Sequence, residues 1–421
     1  MNRKNHLITF LLLLIAGIGH AQISLDYCLK KAGELSPLNK QNLQYQSVKL
    51  MTEKNLKTVY LPQFRVNAQA TYQSDVFSFP NNPIMENPII PKEQYKVTLD
   101  LSQTIYDGGM AKNKKIAENA RITNDMYAVE VEIYQIKKTI NDLFFGALLY
   151  QENLAIFQNL LADLNEQQKI ISSRVINGVL PKISENNFKK QILSTEQQIL
   201  SVSMDLRSIL DILGKWIGEE IDDKATLVLT NNSEPDSGEA LNRPEVSLFR
   251  SQQQYFEAMK NLAVVKRRPA IGAFAQAGFG SPNAYNWFET ELSDFYYLGI
   301  RFSWQITDYG SAKREKEIYQ ANENIIESKL KNFEEGIGKQ LIKENAQIEK
   351  MGKLMEKDDE IITLQRKIVA RTFSQLKNGV INTTEYLNVL TDLAKLEINR
   401  EIHSIQLMQA RHNRLTLLGN N

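Results

Sequence analysis

Gln103-Thr104-Ile105-Tyr106-Asp107-Gly108-Gly109-Met110-Ala111-Lys112 has a counterpart further along the chain: Trp304-Gln305-Ile306-Thr307-Asp308-Tyr309-Gly310-Ser311-Ala312-Lys313. The offset from Asp107 to Asp308 is 201, and Asn177-Gly178-Val179 recurs as Asn378-Gly379-Val380 at the same offset. Two landmarks about 70 residues apart that hold one offset point to a duplicated unit, too long for a short-repeat solenoid. In each copy the quoted stretch ends a region of alternating residues and opens a long region of helical spacing.

Upstream, Phe64, Val66, Ala68, Ala70 and Tyr72 alternate with Arg65, Asn67, Gln69, Thr71 and Gln73. Tyr95, Val97, Leu99 and Leu101 alternate with Lys96, Thr98, Asp100 and Ser102. The second half repeats the pattern with Ile271, Ala273, Ala275, Ala277 and Phe279, then Tyr296, Leu298, Ile300, Phe302 and Trp304. Period two is the mark of a strand with two unlike faces. The segments have the length of tilted outer-membrane strands, about 9–11 residues. Tyr72, Tyr95, Tyr106, Phe279, Tyr296 and Trp304 suit interfacial girdles. A soluble half-buried sheet shows the same alternation, so pattern alone leaves both readings open. The Pro-rich Ser78 to Pro91 and its counterpart Ser281 to Ser293 read as exposed loops.

Downstream, residues 110–177 lack Pro, contain one Gly (Gly146), and carry apolar residues at three- and four-residue steps, such as Ile133, Ile136, Ile140 and Phe144. That is a coiled-coil-like helix, about 100 Å long if straight. Residues 311–377 match it, with bends possible at Gly336, Gly338 and Gly352. Each stretch stops at Asn-Gly-Val, a helix end and reversal, and returning helices follow at roughly 182–215 and 382–417. Helical segments precede the strand pairs at 24–58, broken near Pro37, and at 244–266.

The start of the chain reads as an export signal. Asn2-Arg3-Lys4 precedes an apolar run from Leu7 to Ile18, and Gly19-His20-Ala21 suits cleavage after Ala21. Its removal takes Arg3, Lys4, His6 and His20, so a chain with 50 Lys+Arg against 49 Asp+Glu becomes slightly acidic. Leu25-Asp26-Tyr27-Cys28 has the outline of a lipoprotein box, but Asp26 and Tyr27 are too bulky for it. The plainer reading of Cys28 is a partly buried thiol. The expected organisation is a signal peptide at 1–21, a first repeat at 22–230, a linker at 231–243 and a second repeat at 244–421.

Composition excludes several classes. At 43% hydrophobic, with 11 Pro and 20 Gly, the chain is neither disordered nor collagen-like. Its charge balance argues against nucleic acid, and one Cys rules out a disulfide framework. No later segment has 18 consecutive apolar residues, so no transmembrane helix is expected. No phosphate loop, G-x-S-x-G or H-E-x-x-H is present. His403 and His412 lie nine apart, not at the i, i+4 spacing of ligands on one helical face. No enzyme activity, metal or cofactor is expected.

Four membrane strands cannot close a barrel, because their edges would stay unpaired in lipid. Further copies would supply the missing strands, and long helices packed side by side would continue the barrel as a water-filled tube. Opening and closing would then occur at the Asn-Gly-Val turns.

The chain resembles the TolC-type outer-membrane efflux proteins. The resemblance rests on the order of the export signal, the duplicated strand–strand–helix–helix plan, Tyr106-Asp107-Gly108-Gly109, Asn242-Arg243-Pro244-Glu245-Val246 and Asn378-Gly379-Val380. It covers nearly the whole chain after the signal. It implies an α+β membrane protein: a homotrimer whose twelve-stranded outer-membrane β-barrel is continued by a periplasmic α-helical barrel. It implies partnership with a periplasmic adaptor protein and an inner-membrane transporter, contact with outer-membrane lipid, and passive conduction without chemistry.

The same resemblance supplies the candidate sites. The family's tip pattern can place acids six and nine residues after the turn glycine. Here those positions are Glu385 and Asn388, so one carboxylate is kept. Three Glu385 side chains would ring the narrow end and favour cations; the other reading is a solvated helix charge. In the first half the plus-six position is Ser184. Asn177-Gly178-Val179-Leu180 and Asn378-Gly379-Val380-Ile381 are the candidate adaptor-docking turns, or helix-reversal geometry alone. A function of another class, an exported coiled-coil interaction protein with a soluble β-domain, stays open beside the duct.

Overall fold

The computed structural model describes residues 22–78, 89–229, 241–286 and 288–420. The export signal expected at 1–21 lies outside the described residues, as do most of the expected linker and the centre of the loop between the first two long strands.

The elements run β1 (Gln22–Ser24), α1 (Leu25–Leu35), α2 (Leu38–Lys57), β2 (Gln63–Tyr72), β3 (Glu93–Tyr106), α3 (Met110–Ile176) and α4 (Lys182–Ile217). They continue β4 (Thr226–Val228), α5 (Pro244–Val265), β5 (Ala270–Ser281), β6 (Ser293–Ser303), α6 (Ser311–Lys377) and α7 (Thr383–Leu418). The helix after each strand pair has 67 residues, and the returning helix has 36. The break between α1 and α2 falls at Ser36-Pro37, as expected of a ring that cannot donate to the preceding turn.

The chain divides into two compact units. Among the described residues, one holds those within Met1–Lys40, Val129–Val246 and Asn332–Asn421; the other holds those within Gln41–Ala128 and Ser247–Lys331. Each draws on both halves of the sequence, so neither unit corresponds to one of the two expected repeats.

The second unit contains one antiparallel sheet in the order β2-β3-β5-β6. The first contains two apolar cores. In one, Phe144, Phe145 and Leu148 of α3 meet Leu206, Leu210 and Leu213 of α4, with Leu25 and Cys28 of α1 sealing the side. In the other, Leu160, Leu164 and Ile171 meet Phe188, Ile192, Tyr386 and Leu390.

Several details differ from the sequence reading. β1 and β4 form a parallel pair, Ile23 opposite Leu227; three residues are too few to show alternation. β3 runs to Tyr106, and Trp304 falls just beyond β6. α6 is continuous through Gly336, Gly338 and Gly352. Cys28 is fully rather than partly buried, and burial pushes its thiol up to about 12.

Candidate functional site

Pairing register decides what the sheet offers. Val66 lies opposite Leu99, Leu99 opposite Ala277, and Ala277 opposite Tyr296. The apolar sets of all four strands therefore share one face, because side chains at every second position point the same way. A bulge between Thr104 and Tyr106 brings Tyr106 opposite Ile271, onto that face as well. Nothing among the described residues covers most of it: Leu99 is 47% exposed, Phe64 69%, and Leu298, Ile300 and Tyr296 74–76%. Burying one such side chain is worth about 1.5–3 kcal/mol, so the face calls for an apolar surrounding.

The opposite face is polar on β2 and β3 and carries Phe274, Phe295 and Tyr297 on β5 and β6. The Asn67 amide donates to Asp100 at 2.5 Å, the Thr98 hydroxyl to the same carboxylate at 3.1 Å, and Gln276 to its other oxygen. The network ties β2, β3 and β5 on the side away from the shared apolar sets. The outer edges of β2 and β6 are unpaired among the described residues.

Each strand pair passes into its long helix through the quoted corner. Asp107 accepts from the backbone N–H of Gly109 at 2.8 Å and of Ala111 at 2.6 Å. Asp308 accepts from Gly310 at 3.1 Å and Ala312 at 3.0 Å. Both carboxylates thus satisfy donors that a helix start leaves orphaned. Burial works to raise the Asp107 carboxyl, and the backbone donors outweigh it, holding it below its ordinary value. The Ala312 N–H does most to hold Asp308 down, with Gly310 and Arg267 adding to it.

The two tip turns are built alike. Gly178 N–H bonds to Val175 and Val179 N–H to Arg174, at 3.0 and 2.9 Å. Gly379 N–H bonds to Leu376 and Val380 N–H to Gln375, again at 3.0 and 2.9 Å. Each pair is a Schellman closure, with φ +73° at Gly178 and +72° at Gly379. A Cβ at either glycine would meet nothing within 4 Å, so handedness, not space, demands glycine there.

Glu385 and Asn388 sit one turn apart on the exposed side of α7, while Tyr386, Leu387 and Leu390 face the core. Asn382 caps the helix: its side chain accepts from the Glu385 N–H at 2.9 Å and donates to the Glu385 carboxylate at 2.6 Å. Ser184, the first-half counterpart, is buried. Of the docking-turn residues, Val179 and Val380 are exposed, at 52% and 70%, whereas Leu180 packs into the core and Ile381 lies against it.

The sequence reading missed what holds the tips together. Tyr386 is fully buried, stacked on Phe188 and tilted against Phe373, and its hydroxyl donates to Gln167 at 2.5 Å. Arg174, at the end of α3, donates to the Lys377 carbonyl at the end of α6. The two turns are therefore coupled directly. The Asn242-Arg243-Pro244-Glu245 stretch is a clamp on the end of α7. Arg243 pairs with Glu245, donates to the Thr416 carbonyl at 3.3 Å and lies 4.5 Å from the centre of the Tyr134 ring.

Solved structures with this arrangement exist. The outer membrane protein VceC of Vibrio cholerae matches with a TM-score of 0.69 at 13% identity, over 93% of this chain and 96% of that one. The CmeC outer membrane channel of Campylobacter jejuni gives 0.66 at 14%, over 94% and 85%. The open state of the MtrE outer membrane channel of Neisseria gonorrhoeae gives 0.66 at 14%, over 94% and 88%. The chain has the TolC-type outer-membrane channel fold. No family model matches the sequence, and no curated protein does; at this identity the likeness establishes the TolC-type fold itself.

On that fold, no three or more His, Cys, Asp or Glu side chains among the described residues converge as a metal site would require. No described helix is long and apolar enough to cross a membrane. His403 pairs with Asp358 at 2.6 Å, and His412 lies against Phe145.

Proposed function

We propose that the chain is the outer-membrane exit duct of a tripartite efflux or secretion system. It conducts substrates passively from a periplasmic adaptor and an inner-membrane transporter to the outside. One observation carries the reading: a single register turns the apolar residues of all four strands onto one uncovered face and leaves both sheet edges open. A soluble β-domain, the alternative, would have to hide that face, and nothing among the described residues does so.

In this reading the halves arise by duplication, and three copies close a twelve-stranded barrel with the Asp100 network lining its water-filled side. A homotrimer also gives α2 a partner. That helix buries none of its residues and leaves Leu43, Leu50 and Met51 exposed at 60% or more. The long helices form the periplasmic tunnel. The tip turns dock the adaptor through exposed Val179 and Val380, and Glu385 supplies the charge at the constriction, with Asn388 beside it uncharged.

The reading is tested by fractionation and mass. The mature protein should require detergent for extraction from the outer membrane and elute with the protein mass of three chains. A water-soluble monomer would refute it.

A further inference from the structure

The charges of this near-neutral chain are unevenly placed. Register sets the start of β2, the end of β3, the start of β5 and the end of β6 at one end of the sheet: Gln63 opposite Ser102, Tyr106 opposite Ile271, Ala270 opposite Ser303. The chain enters and leaves the sheet there through residues 53–60, 107–116, 266–268 and 308–317. These stretches carry eleven Lys or Arg against five carboxylates. The described residues of the strand-connecting stretches at the other end, 73–78, 89–92, 281–286 and 288–292, carry three carboxylates and one lysine.

Contacts confirm that the basic stretches meet. Lys115 pairs with Glu53 at 3.1 Å, Arg267 with Asp308 at 3.5 Å, and Arg268 donates to the Gly108 carbonyl at 3.4 Å. Lys54, Lys57, Lys112 and Lys114 are exposed and make no ion pair among the described residues.

Apart from the capping Asp107 and Asp308, the helix starts are basic. Neither α3 nor α6 has an acid in its first turn, where the helix dipole favours one; Lys112, Lys313 and Arg314 stand there instead. Beside them, exposed Trp304, Ile306 and Tyr309 carry apolar surface on beyond the last strand. Cations next to interfacial aromatics match the headgroup layer of a membrane.

We propose that this collar binds the phosphates of anionic phospholipids in the leaflet facing the helices. The inference rests on the duct reading, because only a chain whose sheet lies in lipid brings the collar to a headgroup layer. Charge complementarity and continuity with the apolar face select lipid as the occupant. Each exposed lysine contributes up to about fivefold to binding at an anionic surface, and salt weakens it.

The test uses the full mature chain in mixed micelles holding equal phosphatidylglycerol and phosphatidylcholine. Lipid retained through size exclusion is then assayed. The wild type should retain phosphatidylglycerol severalfold over phosphatidylcholine at low salt and lose the preference at high salt. Lys54→Gln/Lys57→Gln/Lys112→Gln/Lys114→Gln should bring the ratio near one with the elution volume unchanged, and the matching Lys→Arg variant should keep it. Equal retention by the wild type, or full preference in the Gln variant, overturns the proposal. Conductance of the same preparation separates the two readings. A conducting wild type without lipid preference removes the collar and leaves the duct. A non-conducting one with preference removes the duct and leaves an anionic-lipid surface.

Discussion

Asp107 and Asp308 cap their helices through the same pair of backbone donors, yet Gly108 follows the first and Tyr309 the second. Both residues have positive φ, +69° and +50°. A Cβ at Gly108 would lie 2.6 Å from the Cβ of Arg268. Tyr309 is 91% exposed. The two corners show which parts of the motif are backbone chemistry and which are local space. The aspartate and the second glycine recur because the helix start needs them; the residue between is free to change only where no neighbour stands.

The tips differ in the same way. Their Schellman closures are identical, but α4 starts after Pro181, which has no side-chain cap, while α7 starts on the Asn382 cap and its Glu385 partner. Geometry is shared, but the charges are arranged differently: Glu185 at the first tip pairs with Lys182, whereas Glu385 at the second is held by Asn382.

Six substitutions press on this comparison. Gly108→Tyr should have the largest effect. It adds left-handed strain of about 1–2 kcal/mol and overpacking of about 1–3 kcal/mol, read as a lower melting temperature in detergent; a neutral result would show that the first corner has unrecognised room. Asp107→Ala should cost about 1 kcal/mol, more than Asp308→Ala at the more open corner. Both carboxyls are depressed in the folded chain, so their stabilisation is complete above the unfolded value near 4 and fades as pH falls below it. Melting between pH 6 and 3 should therefore drop less in the double alanine variant than in the wild type. Tyr309→Gly should raise stability by a few tenths to about 1 kcal/mol; a loss would mean that an unseen partner holds the ring. The smallest stability change is expected from Glu385→Gln, which should lower cation preference in single-channel recordings while Ser184→Ala leaves it alone.

Much of this fold was legible in the sequence because alternation and turn chemistry are local. Phe64 to Tyr72 reads as a strand by itself, and Gly178 and Gly379 declare a reversal by their place after long helices. The tip core was not legible. A 67-residue helix presents many apolar residues, and spacing does not say that Tyr386 meets Phe188 and Phe373. The unit division was hidden for the same reason, since each unit joins segments hundreds of residues apart. One signal was available and unused: Asn382-Thr383-Thr384-Glu385 has capping spacing, which gives Glu385 a structural partner beside any role at a constriction.

Planar-bilayer conductance of the purified mature protein, with its mass determined in the same detergent, tests the duct most directly. The account predicts a trimer that opens discrete, cation-biased channels. A protein that stays soluble and leaves the bilayer silent would contradict it and return the uncovered sheet face to the coiled-coil interaction reading.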